Sequence, residues 1–184
     1  MSFIKQYPFG TMIASTEESL PVATHIPLIM TNGNTLKIRG HLAKANDFWK
    51  HLKPGKKILI IFYGPQGYIS PTWYETSDVP TWNYAVVQVY GVPKLITDET
   101  ELHKSVKYLS KLYESKNENP WNGEYLQNQI KHIIGFEVEV HEIKGKFKLS
   151  QNRSEVDRRN VINSLKTSVA YKNIALAKFM EENY

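Results

Sequence analysis

The sequence predicts a mainly β domain, a small antiparallel barrel with helices covering its ends and flanks. Three observations lead there. Short segments rich in branched and aromatic residues fill the first half of the chain, the apolar period becomes helical after residue 97, and one further alternating segment precedes a long helical C-terminal stretch. The chain has 184 residues, the size of one domain, so 1–184 is read as a single domain without an independent second one. Its 41% hydrophobic and 22% charged residues give it the apolar content of a folded protein.

Taken in order, "YPFGTMIAS" and "ATHIPLIM" are short and partly apolar, and each is read as a strand. Asn32-Gly33 followed by "TLKIRGHLA" signals a hairpin, because Asn-Gly readily supplies positive φ in a two-residue turn. Residues 7–43 are therefore expected to form an antiparallel meander. A short helix is expected over "ANDFWKHL", stopped by Pro54 and Gly55. "KKILIIFYG" is nearly continuous in its apolar character and suits a central strand, and "NYAVVQVYGVPKLI" supplies another. Within "DETELHKSVKYLSKLYES", Leu102, Val106, Leu109 and Tyr113 recur at helical spacing behind acidic residues that complement the helix dipole. "GEYLQNQIKHII" reads as a second helix and "GFEVEVHEIKGKFKLS" as a strand or hairpin; helices return over about 154–182.

Several chemistries find no local support. Without cysteine there are no disulfides and no thiolate metal sites, and no metal site is expected. G-x-G-x-x-G, G-x-x-x-x-G-K-[ST], H-E-x-x-H and G-x-S-x-G are all absent. The N-terminus lacks the apolar core of a signal peptide and no apolar run approaches the roughly 20 residues that span a bilayer, so a cytoplasmic chain without a membrane partner is expected. The net charge of +5 would favour a phosphate-bearing partner, although the 23 basic residues are dispersed.

The unusual stretch is "YGPQGYISPTWYETSDVPTWNY", Tyr63 to Tyr84, which holds six aromatic residues and no Lys or Arg. Ser70-Pro71 and Val79-Pro80 favour extended, stiff loops on which rings can be presented. A large apolar face with one polar edge suits a dimer interface or the wall of a pocket for a planar ligand. The same rings would equally close the ends of a barrel, and residue type alone leaves both open. Elsewhere, His25, Arg39, His41 and Lys44 fall on or just after neighbouring strands of the expected hairpin, with Arg39 and His41 on one face. The amides that open "ANDFWKHL", with Lys44 beside them, would suit a phosphate.

"THIPL", "IRGHLAKAN", "FYGPQGYISPTWY", "VPTWNYAVVQVYG", "IIGFEVEVHEIKGKFKLSQNR" and "DRRNVINSL" together resemble, in order and over nearly the whole chain, the PaiB family of FMN-binding split-barrel proteins, also called negative transcriptional regulators. The resemblance implies a six-stranded, Greek-key-like antiparallel split barrel flanked by helices, a homodimer, and FMN in clefts between subunits. It implies that Tyr68, Ser70, Trp73, Trp82 and Asn83 line or support the isoalloxazine cleft. Arg39, His41 and Lys44 would face the phosphate and ribityl chain, and Lys148, Ser150, Gln151 and Asn152 would close the site, from the same or the partner subunit. Asn83 and Gln151, which donate and accept, suit the pyrimidine edge, and Lys148 or His41 would supply a cation beside the reduced ring. Members commonly carry a segment before the first strand, whereas "YPFGT" begins at Tyr7, so a lid or helix from that segment is expected to be missing.

Three functions follow as expectations: an FMN flavoprotein with redox activity, a transcriptional regulator, and a haem-handling split barrel using His25, His41, His103, His132 or His141. No acid, base or nucleophile constellation stands out, so the catalytic residues stay unassigned. Direct DNA binding lacks a helix-turn-helix or a basic recognition helix, since "EVDRRNVINSL" alternates acids with bases.

Overall fold

The computed structural model describes residues 2–76, 78–121 and 127–183. Seven strands form one sheet: β1 (Phe9–Ser15), β2 (Pro21–Pro27), β3 (Ile29–Asn32), β4 (Leu36–Ala43), β5 (Ile58–Ile69), β6 (Thr81–Ile96) and β7 (Ile133–Lys148), in the order β2-β1-β5-β6-β7-β4-β3. The helices are α1 (Ser2–Gln6), α2 (Glu99–Glu114), α3 (Gln127–Ile130), α4 (Glu155–Thr167) and α5 (Ile174–Glu182).

Residues 7–43 are not a meander. They form two hairpins, β1–β2 and β3–β4, at opposite ends of the strand order. The segment read as one strand, "ATHIPLIM", breaks at Leu28, which is buried at 1% exposure while its N–H donates to the Pro8 carbonyl. Pro27, which has no N–H to offer a ladder, ends β2. This break makes the count seven rather than the six the resemblance implies. The β3–β4 connection spans residues 33–35, with Asn32 opposite Leu36. Neither Asn32 nor Gly33 has positive φ, so the expected two-residue turn does not form.

The expectation of a second helix is corrected. The second helix is confined to Gln127–Ile130; β7 takes over at Ile133, and the start of that helix, within 122–126, lies outside the described residues. "GFEVEVHEIKGKFKLS" is one strand with no turn inside it as far as Lys148. Ahead of β1, where no helix was expected, α1 buries Phe3 and Ile4. β5 also continues through Gly64, Pro65 and Gly67, so Tyr68, Trp82 and Tyr84 stand on strands and not on stiff loops.

The chain divides into two compact units. The first, Met1–Phe62 with Gln88–Lys144, packs Met12, Leu28, Ile38, Leu42, Ile60, Phe62, Phe136 and Val138 between its strands. Helix α2 is capped by the Asp98 side chain and buries Leu102 and Val106 against Ile130 and Ile133, as its apolar spacing requires. The second, Tyr63–Val87 with Gly145–Tyr184, packs α4 on α5 through Val161, Ile162, Leu165, Leu176, Ala177 and Met180. Along β6, Asn83, Ala85, Val87, Val89 and Gly91 alternate inward, the period-2 pattern of a half-buried strand.

Candidate functional site

In the first unit, Arg39 and His41 share one face of β4, as alternation requires, while Ile38 and Leu42 take the core face. The Arg39 guanidinium is already committed. Its Nε donates to Glu137 Oε2 at 2.6 Å, its Nη2 pairs with the same carboxylate, and Glu101 Oε1 lies 3.3 Å away. Lys37 Nζ completes the cluster at 2.5 Å from Glu137 Oε1. Burial pushes the Glu137 carboxyl up, but the hydrogen bonds and charges of Lys37 and Arg39 outweigh it and hold the group below its ordinary range. Arg39 also lines a groove of about 460 Å³ with Ile29 and Tyr108.

Burial lowers the pKa of His41 and so favours its neutral ring. His25 sits on β2, paired with Thr11 of β1; β2 touches β4 but is not hydrogen-bonded to it. Lys44 is exposed and, among the described residues, makes no ion pair; its backbone is fixed by bonds to the His132 carbonyl and from Trp49 Nε1. The helix beside it is a five-residue 3-10 turn, Asp47–His51, and its Phe48 N–H is taken by the Asn46 side chain. The expected phosphate cradle is thus a capped turn.

In the second unit the rings do gather. Tyr68 on β5 lies 6.5 Å from Trp82 on β6, edge to face, and 4.9 Å from Tyr171; Trp73, in the 3-10 turn Pro71–Trp73, lies 6.5 Å from Tyr171. Trp82 is 53% exposed and Tyr171 50%. Tyr171 comes from the α4–α5 connection, in "VAYKN", and sequence reasoning passed over it because nothing local distinguishes that tyrosine. Ser70 caps the 3-10 turn through Thr72 N–H.

The "KLSQN" residues begin at Lys148, the last residue of β7, and run into the turn after it. Lys148 Nζ is hydrogen-bonded to Thr81 Oγ1, next to Trp82. Gln151 spends both amide groups on its own turn: Oε1 accepts from Leu149 N–H and Nε2 donates to the Phe147 carbonyl, each at 2.7 Å. Asn83 is fully buried; Nδ2 donates to Ser150 Oγ at 2.9 Å and lies 3.5 Å from Met180 Sδ, while Oδ1 has no hydrogen-bond partner among the described residues. Ser150 holds this place at φ 64. Asn152 is exposed. Asn83 therefore supports the site from within, and the Gln151 amide is engaged in its own turn.

The model of the family described as "Putative FMN-binding domain" matches residues 1–142. "Protease synthase and sporulation protein PAI 2" of Bacillus subtilis is 35% identical over 187 residues, covering 98% of this chain and 89% of that protein. The chain belongs to the PaiB family of FMN-binding proteins. Its fold is the split barrel of that family, and its cofactor by membership is FMN. The "FAD and Heme binding protein" of Mycobacterium smegmatis aligns with a TM-score of 0.61 at 10% identity, over 84% of this chain and 73% of that one. The flavocytochrome Anf3 of Azotobacter vinelandii aligns at 0.59 with 14% identity, over 86% and 72%. These two likenesses show the fold alone.

The residues of the second unit fit such a cofactor. An exposed aromatic surface with an ammonium beside it suits a flat, anionic molecule. No helix among the described residues is long and apolar enough to cross a membrane.

Proposed function

We propose that this PaiB-family chain is an FMN-dependent redox protein acting as a homodimer, with the isoalloxazine ring lying against Tyr68, Trp82 and Tyr171 and with Lys148 holding negative charge beside it. One observation carries the reading: Trp82 and Tyr171 keep half their surface in water although four rings meet there. Large apolar rings held outward by a folded backbone mark a surface awaiting a partner or ligand. FMN, when bound, supplies electron and hydride transfer. The chain's own part is to bind the ring by its face, to keep an ammonium near Thr81, and to exclude water over the aromatic surface. The rings form a wall on one side, so a second copy is the natural cover for the other face, and this supports the dimer.

Regulation, in this reading, passes through the flavin and not through direct contact with DNA. Arg153 and Arg159 of the C-terminal region support that choice, since Arg159 pairs with Glu155 and Arg153 with Asp78. The test is titration of flavin-free protein with FMN, followed by flavin fluorescence, with sedimentation to count subunits. Saturable quenching by a dimer is expected, and Trp82→Ala should weaken binding by about 1–2 kcal/mol through lost ring stacking. A wild-type chain that quenches no flavin overturns the proposal.

A further inference from the structure

We infer that Arg153 is a positioning residue for the aromatic surface: it straps down the segment that follows Trp73 and so sets where that ring stands. The inference rests on the FMN reading above for what the surface serves, but its geometry is independent of that reading.

The described residues 74–76 and 78–80 lie between β5 and β6 and have no strand ladder to hold them. Their place depends on side chains, and three of them are anchored to one junction, the turn after β7 and the first turn of α4. The Arg153 N–H donates to the Ser150 carbonyl at 3.0 Å, which fixes the base of the side chain. The guanidinium then pairs with Asp78 and lies 4.8 Å from the Tyr74 ring centroid, over its face. Four positions on, Asp157, 8% exposed, accepts the Glu75 N–H at 2.9 Å. Asp157 is itself set by Ser154, which caps α4.

An exposed ion pair contributes little to stability. This one differs. The Arg153 and Asp78 side chains are only 28% and 17% exposed, and one planar group serves a carboxylate and an aromatic face together. A lysine ammonium meets the charge requirement and lacks the plane that stacks. Tyr74 directly follows Trp73, whose ring contacts Tyr171, so displacing Tyr74 displaces a member of the ring cluster without touching the others. None of the contacts described for Arg153 is with Tyr68, Trp82 or Tyr171; it acts through the backbone of the segment. The sequence carried a trace of this in the arginine that ends "KLSQNR".

The experiment compares wild type with R153Q, R153K, R153D and the charge-exchanged D78R/R153D double variant. FMN affinity, the visible circular dichroism of bound flavin, and thermal unfolding of the flavin-free proteins are measured on each. R153Q is expected to lose about tenfold or more in affinity, because a loosely held site member forfeits binding even in an intact fold. Its flavin dichroism should change, a readout that stability loss alone does not move in folded protein. R153K should recover part of the affinity, and the exchanged pair should exceed R153D alone. Should R153Q not fold, D78N tests the same contact from the other side. Independently of flavin, chymotrypsin should cut after Tyr74 faster in R153Q than in wild type. Equal cleavage rates, or wild-type affinity and dichroism in R153Q, overturn the strap. Wild type that takes up no FMN sinks the functional reading instead, and the cleavage comparison still decides the strap.

Discussion

Gly91 on β6 faces β7 so closely that a Cβ placed there would lie 2.3 Å from the Glu139 carbonyl oxygen and 2.6 Å from Val138 Cγ1. The nearer atom belongs to backbone held in a sheet, so it has no side chain to swing away. Gly91→Ala should therefore cost about 3 kcal/mol or more, the upper end of overpacking effects, read as a lower urea midpoint. Gly145→Ala is the matched control, with nothing within 4 Å of its Cβ, and should be nearly neutral. The same scale separates Trp82 from Asn83. Neighbours on one strand point to opposite faces, so the indole stands half in water while the amide is sealed against Ser150 and Met180. Substituting Trp82 is thus expected to move flavin binding more than folding.

At the scale of elements, α5 shows how one residue joins two of them. Asn173 Oδ1 caps the helix by accepting the Leu176 N–H at 3.0 Å, and its Nδ2 donates to the Gln66 carbonyl on β5 at 2.8 Å. Asn173→Ala loses both and should destabilise the protein by about 2–3 kcal/mol, a cap plus one hydrogen bond, measured by denaturant unfolding. Asn173→Asp, which keeps the cap and loses the donor, should fall between. This joint also explains what the sequence hid. Gly64, Pro65 and Gly67 locally oppose a strand, yet β5 runs through them, because Gly67 admits Leu176 and Asn173 where a Cβ would sit 3.0 Å from each. The helix α2 was legible because regular apolar spacing follows acidic residues, a local signal, and the structure adds caps at Asp98 and, for α4, at Ser154. The break at Leu28 was not, since a buried leucine bonded to Pro8 is a decision taken between distant segments. The site divides in the same way: the ring density between Tyr63 and Tyr84 stood out, whereas Tyr171 joins that cluster only through tertiary packing. The amides of Asn83 and Gln151 looked like ligand groups, and their partners Ser150 and Phe147 are what assign them to structure.

For the molecule as a whole, His41, Glu137 and Asp78, whose pKa values are all lowered in the fold, act in one direction on acidification. His41 has a folded pKa below its ordinary 6.5 because burial disfavours the charged ring. The unfolded chain then binds more protons than the folded one as pH falls past that value, so stability is lost on acidification. One such proton changes stability by at most about 1.4 kcal/mol per pH unit, and by less here because the ring is only half-buried. A second loss should come lower. Glu137 is held down by Lys37 and Arg39 against the opposing effect of burial, and Asp78 by the Val79 N–H first and by Arg153. A carboxylate whose folded pKa is depressed contributes above its unfolded value, near 4.5 for Glu and 3.8 for Asp, and that contribution disappears as pH falls through the folded value. Denaturant unfolding from pH 8 to 3 should thus show a shallow decline beginning near 6.5 and a steeper one below about 4.5. His41→Gln should flatten the first and leave the second, while Glu137→Gln should reduce the second and leave the first. The net charge of +5 at pH 7 adds to both, because every proton taken up on acidification increases repulsion within a chain that is already positive. A profile that rises between pH 7 and 5 would mean that His41 gains an anionic partner on protonation, against the burial that holds it neutral.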